Sequence, residues 1–202
     1  MNKPKSICVF GDSISWGAWD TEKGGWINRL WFYGINRKSN NYVEIYNCSI
    51  SGGTTDTILK NFENEAKNRN ADALIFQTSG NDAAYENSPG NYLVPPEKFK
   101  NNIKEIIRLA KKITNNILFV NIGNCDESKT MPVPWIDIYY TNESTQKYSK
   151  VIEEVCNENS VAFLNIKPLD NQDFEDGLHP NTIGHEKIFN QVKDFLAEKQ
   201  WI

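Results

Sequence analysis

The sequence predicts an α/β fold, a three-layer α/β/α sandwich built around a parallel sheet. Three observations predict it. Five short β-rich runs, at about residues 6–10, 42–48, 73–78, 117–122 and 161–166, lack strict polar alternation, as strands covered on both faces do. The segments between them place apolar residues at helical spacing. The length, 202 residues, suits one domain over residues 1–202 and can bury a sizeable core without disulfides or metals.

Taken in chain order, the first run, Ser-Ile-Cys-Val-Phe, ends directly in Gly11-Asp12-Ser13. A helix is expected over residues 25–35, with Trp26 and Trp31 in its buried stripe. The second run is followed by a helix at about residues 55–66, and the third by a long segment that ends in Pro95-Pro96. That proline pair introduces a helix whose stripe is Phe99, Ile103, Ile106, Ile107 and Ala110. The fourth run precedes a helix carrying Val151, Ile152 and Val155. The last helix is expected to take Pro180 in its first turn and to run through Ile183, Ile188, Phe189, Val192 and Phe195. Such alternation implies right-handed crossovers. Two loops, from Asn81 to about Pro96 and from Gly123 to about Tyr140, are longer than connection requires. They read either as binding loops or as surface insertions.

Composition narrows the function classes. Hydrophobic residues at 39% and charged residues at 24% are the mix of a globular protein. A net charge of −4 argues against a grip on phosphate backbones, so no nucleic-acid partner is expected. No basic run marks a membrane surface, and no apolar segment is long enough to span a bilayer. The apolar run at the N-terminus is too short for a signal peptide, and the expected location is cytoplasmic. Cys8, Cys48, Cys125 and Cys156 are scattered and form no CxxC pair, so free thiols are expected rather than a zinc or redox motif. Oligomeric state is not legible in the sequence.

The chemistry gathers at the strand ends. After the first strand comes Gly11-Asp12-Ser13, after the second Ser51-Gly52-Gly53, after the third Ser79-Gly80-Asn81-Asp82, and past the fifth Asp176-Gly177-Leu178-His179-Pro180. In a parallel sheet these turns share the carboxyl edge, where open α/β sheets bind ligands. A serine hydroxyl needs a base to become a good nucleophile, and histidine suits that role near neutral pH. The chain has two histidines, His179 and His185. Asp176 stands three residues before His179, close enough for its carboxylate to accept from Nδ1–H and leave Nε2 facing Ser13. Acyl transfer also needs donors at the developing oxyanion. Gly52 N–H, the Asn81 amide and Ser13 N–H are the candidates, although Gly52 could simply relieve a turn and Asn81 could be a turn residue with Asp82 capping the next segment.

At this point the residues resemble a known family, the SGNH (GDSL-type) hydrolases. Gly11-Asp12-Ser13 is similar to its first block, with Ile14 where the family name has leucine. Gly52 matches the second block and Asp176-x-x-His179-Pro180 the last. Asn81-Asp82 matches the third in shortened form, because Gly80 directly precedes Asn81. The resemblance implies a flavodoxin-like fold with sheet order 2-1-3-4-5, hydrolysis of esters or thioesters of a small acylated molecule, and no cofactor or metal. It implies Ser13, Asp176 and His179 as catalytic residues, and Ser13, Gly52 and Asn81 as the oxyanion hole.

Other residues keep two meanings. Asp12 reads as structural, organising its turn. Trp16 and Trp19 closely follow the serine and can wall a substrate pocket, and Trp135 is a candidate lid residue in the second long loop. His185 reads as an ordinary helix residue, because its spacing to Asp176 and His179 matches no familiar metal pattern. Trp201 either packs the terminus or lies exposed. The rival readings are a carbohydrate O-acetyl esterase, a non-catalytic binding module on the same fold, and a flavodoxin-like cofactor protein.

Overall fold

The computed structural model describes residues 3–35 and 42–202. Its elements run β1 (Ser6–Phe10), α1 (Ser13–Trp16), α2 (Trp26–Ile35), β2 (Glu44–Asn47), α3 (Thr55–Asn68), β3 (Ala73–Gln77), α4 (Gly80–Ala83), β4 (Tyr85–Glu86), α5 (Pro96–Ala110), β5 (Ile117–Asn121), β6 (Ile138–Tyr139), α6 (Asn142–Glu158), β7 (Ala162–Asn165) and α7 (Thr182–Glu198). A short 3-10 turn, Asn171–Asp173, lies between β7 and α7. The main sheet is five-stranded and all parallel, in the order β2-β1-β3-β5-β7. Counting only its own strands, that is the expected 2-1-3-4-5.

The three central strands read as nearly continuous apolar runs because both sheet faces are covered there. In β1, β3 and β5 every residue is buried. Successive side chains point to opposite faces, so β1 splits between two cores. Ile7 and Val9 pack with Trp26, Ile27 and Leu30 of α2 and Ile188, Val192 and Leu196 of α7. Cys8 and Phe10 pack with Phe62 of α3, Phe99 and Ile103 of α5, and Tyr148 and Ile152 of α6. Register carries this division across the sheet: Ile7 stands opposite Ile45 on one side and Ala73 on the other, and Leu74 opposite Ile117.

The centre of the second core is aromatic. The Phe76 ring lies 5.5 Å from Phe10, 5.3 Å from Phe62 at an edge-to-face angle, and 5.1 Å from Phe119. Such pairs add to the area they bury. The rigid strand beneath this cluster ends in Gln77 and Thr78, which open the functional edge.

Four expectations need correction or refinement. The two long loops are not purely irregular: Tyr85–Glu86 and Ile138–Tyr139 pair antiparallel as β4 and β6, over a small core of Ala84, Cys125, Val133 and Tyr140. Two-residue strands carry no readable periodicity, so this ribbon leaves no sequence signal. Trp31 is not in the buried stripe of α2. It is 38% exposed and packs on Phe32, while the buried line is Trp26, Ile27, Leu30 and Gly34. Gly34 lies against the backbone just before β2, where a Cβ would sit 3.3 Å from the Val43 carbonyl. Pro180 is not in the first turn of α7. Asn181 is the cap, its side chain accepting from the N–H groups of Ile183 and Gly184, and Pro180 bridges to Phe174 before it. Trp201 is buried, so the terminus is packed. All four cysteines are free thiols. No helix among the described residues is long and apolar enough to cross a membrane.

Truncating Phe76 to alanine should cost about 3–5 kcal/mol of stability, the range for a buried phenylalanine in a core that cannot fully collapse. Urea denaturation measures it, and a loss below about 1 kcal/mol would contradict the central placement of this ring.

Candidate functional site

The site begins where β1 ends. Gly11 is required there by crowding: a Cβ would lie 2.6 Å from the Ser15 side chain and 2.9 Å from Gln77 Oε1. Asp12 then caps α1. Its Oδ1 accepts from Ile14 N–H at 2.9 Å and its Oδ2 from Gln77 Nε2 at 3.0 Å. Gln77 Oε1 in turn accepts from Ser15 Oγ at 2.6 Å. This buried chain locks the turn between the first and third strands. Burial raises the Asp12 pKa, opposed by the bonds from Gln77 and Ile14. Asp12 is therefore structural, as its sequence position suggests.

The turn presents Ser13 to the last loop of the chain. Ser13 Oγ lies 2.9 Å from His179 Nε2, and His179 Nδ1 lies 2.7 Å from Asp176 Oδ2. Asp176 Oδ1 accepts from the N–H groups of Leu178, at 2.9 Å, and His179, at 2.8 Å. Burial alone would raise the Asp176 pKa. The ring and backbone bonds of His179 and the N–H of Leu178 outweigh it and hold the carboxyl at about 2. An ionised Asp176 makes Nδ1 the donor, which leaves Nε2 as an acceptor for the serine hydroxyl.

Gly177 makes the tight Asp-to-His turn possible. Its φ is +92°, and a Cβ there would sit 2.6 Å from the Lys129 side chain. The Gly177 carbonyl accepts from Asp126 N–H at 2.8 Å, tying this turn to the long loop after β5. That loop also lays the Trp135 ring over His179, centroids 6.1 Å apart and planes 26° from parallel. Trp135 is 53% exposed, and Trp16, three residues after Ser13, is 59% exposed.

The candidate oxyanion donors arrive from two further strand ends. Gly52 has φ +75° and sits in the turn closed by Gly53 N–H donating to the Ile50 carbonyl at 2.8 Å. The backbone N–H groups of Ser13 and Gly52 donate to no backbone carbonyl among the described residues. Asn81 Nδ2 donates one proton to the Gly53 carbonyl at 2.8 Å, and Asn81 Oδ1 accepts from Tyr140 O–H at 2.9 Å. The amide is thus oriented from both ends and keeps a second Nδ2 proton. Before it stands Ser79, a non-glycine residue at φ +114° whose Oγ donates to Asn121 Oδ1 at 2.7 Å. Strained backbone of this kind persists where surrounding bonds over-determine it.

Asp82 does not cap the segment that follows it. It holds the first residue of α3: Oδ1 accepts from Thr55 N–H at 3.0 Å and Thr55 Oγ1 at 2.5 Å, and Oδ2 from Thr78 Oγ1 at 3.0 Å. His185 is fully buried and donates from Nε2 to the Ala18 carbonyl at 2.9 Å. Among the described residues, no three His, Cys, Asp or Glu side chains cluster to hold a metal ion.

A profile of the GDSL-like Lipase/Acylhydrolase family matches residues 9–187. The chain belongs to this family. It is an SGNH-type serine ester hydrolase. Among solved structures, it resembles Axe2, an acetylxylan esterase from Geobacillus stearothermophilus, with a TM-score of 0.76 at 15% identity, covering 98% of this chain and 94% of that one. It also resembles LAE5, an alpha/beta hydrolase enzyme from the metagenome of Lake Arreo, Spain, with a TM-score of 0.76 at 15% identity over 100% of this chain and 97% of that one. At such identities the likeness is one of fold. No curated protein matches the sequence.

In this acylhydrolase the structure brings Ser13, Asp176, His179, Gly52 and Asn81 to one edge. Sequence reasoning missed Gln77, Ser79 and Tyr140, which hold the site from behind. Gln77 had a weak signal, a polar residue closing an apolar strand. Tyr140 had none, since its partner Asn81 lies 59 residues away.

Asp82 gives a testable pH effect. Burial pushes its carboxyl up to about 6, against the bonds from Thr55 and Thr78, while its ordinary value is 3.8. Between those values the folded chain binds the extra proton, so the Asp82 contribution to stability falls as pH rises from about 4 to about 6. Melting of the wild type and Asp82→Asn across that window should show the wild type losing ground as pH rises. A constant difference would contradict the assignment.

Proposed function

We propose that this esterase works by two-step acyl transfer, with Ser13 as nucleophile, His179 as general base and acid, and Asp176 as the carboxylate that orients it. The observation that carries this reading is the continuous chain from Ser13 Oγ through the His179 ring to Asp176, at 2.9 and 2.7 Å. As Ser13 Oγ attacks the carbonyl carbon, His179 Nε2 takes the hydroxyl proton. The carbonyl oxygen becomes an oxyanion that Ser13 N–H, Gly52 N–H and the free Asn81 Nδ2 proton can receive. Collapse expels the alcohol or thiol, which takes the proton from His179. A water molecule then repeats the sequence on the acyl-enzyme and restores Ser13.

Catalytic mutants of the Geobacillus acetylxylan esterase replace a serine, an aspartate and a histidine, the last two three positions apart. Asp176 and His179 have the same spacing, which supports the assignment. A second reading, an O-acetyl esterase acting on carbohydrate, is favoured by the exposed Trp135 indole stacked on His179. Flat aromatic faces suit sugar rings, and one structural neighbour, Axe2, is an acetylxylan and acetyl-xylooligosaccharide esterase. Comparing acetylated sugars with longer-chain esters and acyl thioesters distinguishes the two.

Ser13→Ala should lower turnover of a short-chain nitrophenyl ester by at least about a thousandfold. Wild-type turnover in that variant would overturn the assignment. With Asp176 held at about 2, its own protonation does not set the acid limb of the rate profile, and a histidine base does. Activity should therefore fall on acidification well above the ordinary carboxylate range, about 4. A limb at or below that range would exclude a histidine base. Tyr140→Phe removes the bond that orients Asn81 and should lower kcat up to about tenfold, the worth of one neutral buried hydrogen bond, with KM little changed. An unchanged kcat would remove Tyr140 from the orientation of Asn81.

A further inference from the structure

We propose that Trp19 is a positioning residue of the site, its indole N–H fixing the carboxylate that orients the base. The inference rests on the proposed roles of Ser13, His179 and Asp176. Trp19 Nε1 donates to Asp176 Oδ2 at 2.7 Å, across 157 residues of sequence. With that bond, each Asp176 oxygen accepts two donors. Oδ1 takes the N–H groups of Leu178 and His179, and Oδ2 takes His179 Nδ1 and Trp19 Nε1. An indole N–H only donates and does not titrate near neutrality. It can fill one lone pair of Oδ2 without competing for the proton that moves between serine and imidazole. The imidazole is then confined to the other.

The segment that carries Trp19 is built for this placement. Trp19 sits at φ +66°, a left-handed conformation that a bulky side chain rarely adopts. The residues on either side hold it there. The Ala18 carbonyl accepts from buried His185 Nε2 at 2.9 Å. Asp20, with a fully buried side chain, accepts from Gly25 N–H, Lys23 N–H, Arg29 Nε and Thr182 Oγ1. His185 and Thr182 both belong to α7, the helix that follows Asp176 and His179. The loop after Ser13 is thus tied on both sides of Trp19 to the helix that follows the base, and the strained residue between those ties places its one polar side-chain atom on Asp176. The indole itself is 54% exposed, so its placement is not explained by burial.

Removing the donor concentrates charge on Oδ2, which favours the imidazolium, and loosens the carboxylate. Two substitutions separate the N–H from the ring. Trp19→Phe removes both the donor and the second ring. Replacing Trp19 with β-(3-benzothienyl)alanine keeps the bicyclic shape and exchanges only N–H for sulfur. Both should lower kcat on a short-chain nitrophenyl ester by roughly tenfold, the effect of one charge-assisted bond partly replaced by water, with KM within about twofold. Both should also move the acid limb of kcat to higher pH. Asp12 and His185, which also interact with the His179 charge, are left in place. If the benzothienyl variant keeps wild-type kcat and pH profile, the N–H has no positioning role and the inference is overturned, whatever Trp19→Phe does. A rise in KM alone would make Trp19 a substrate wall and overturn it equally. Ser13→Ala is assayed in parallel: if it stays active, the proposed mechanism fails first, and if it is inactive while both Trp19 variants match wild type, only this inference fails.

Discussion

The carboxylate of Asp176 is the constraint on which the site depends. A buried carboxylate is costly unless donors surround it. Here the donors come from its own turn, from the histidine it orients and from a tryptophan near the start of the chain. Together they keep it ionised despite burial. An ionised Asp176 fixes the His179 tautomer, and that tautomer decides whether Nε2 can accept from Ser13. The two turns must therefore be set to within a few tenths of an ångström, although they lie 166 positions apart in sequence. Only rigid elements can do that, and the parallel sheet supplies them.

The carboxyl edge of that sheet is held by polar chains rather than by apolar packing alone. Asp12, Gln77 and Ser15 join the ends of β1 and β3. Ser79, Asn121 and Asn165 join the ends of β3, β5 and β7. Asp82 and Thr55 fix the start of α3 beside them. Buried polar groups of this kind are tolerable only when every member is partnered. Their effect is to define where each strand end stops and where its turn points. The apolar cores on the two faces fix the sheet, and these chains fix what the sheet presents.

Much of this was legible in the sequence, for physical reasons. The three central strands announced themselves because strands buried on both faces are apolar almost throughout, and the two edge strands kept enough apolar residues to be read beside them. The helices between them showed their stripes, and Pro96 marked the start of α5. Gly11, Gly52 and Asp176-x-x-His179 were legible because turn chemistry and short-range spacing are local. What escaped depended on distant partners. Nothing near Tyr140 says that its hydroxyl meets Asn81, and nothing near Trp19 says that its indole meets Asp176. Trp31 was misplaced because helical period alone does not say how wide a stripe is buried. Pro180 was placed one element too late because proline suits both the first turn of a helix and the residue before its cap.

The central claim is that Ser13 is made nucleophilic by His179 under the control of Asp176. The most direct test is covalent labelling with a serine-directed fluorophosphonate, with the modified residue located by peptide mass spectrometry. The account predicts one adduct, on Ser13, that forms with the wild-type protein and is lost in His179→Ala. Labelling that is absent, that falls on another serine, or that proceeds undiminished without His179 would contradict it.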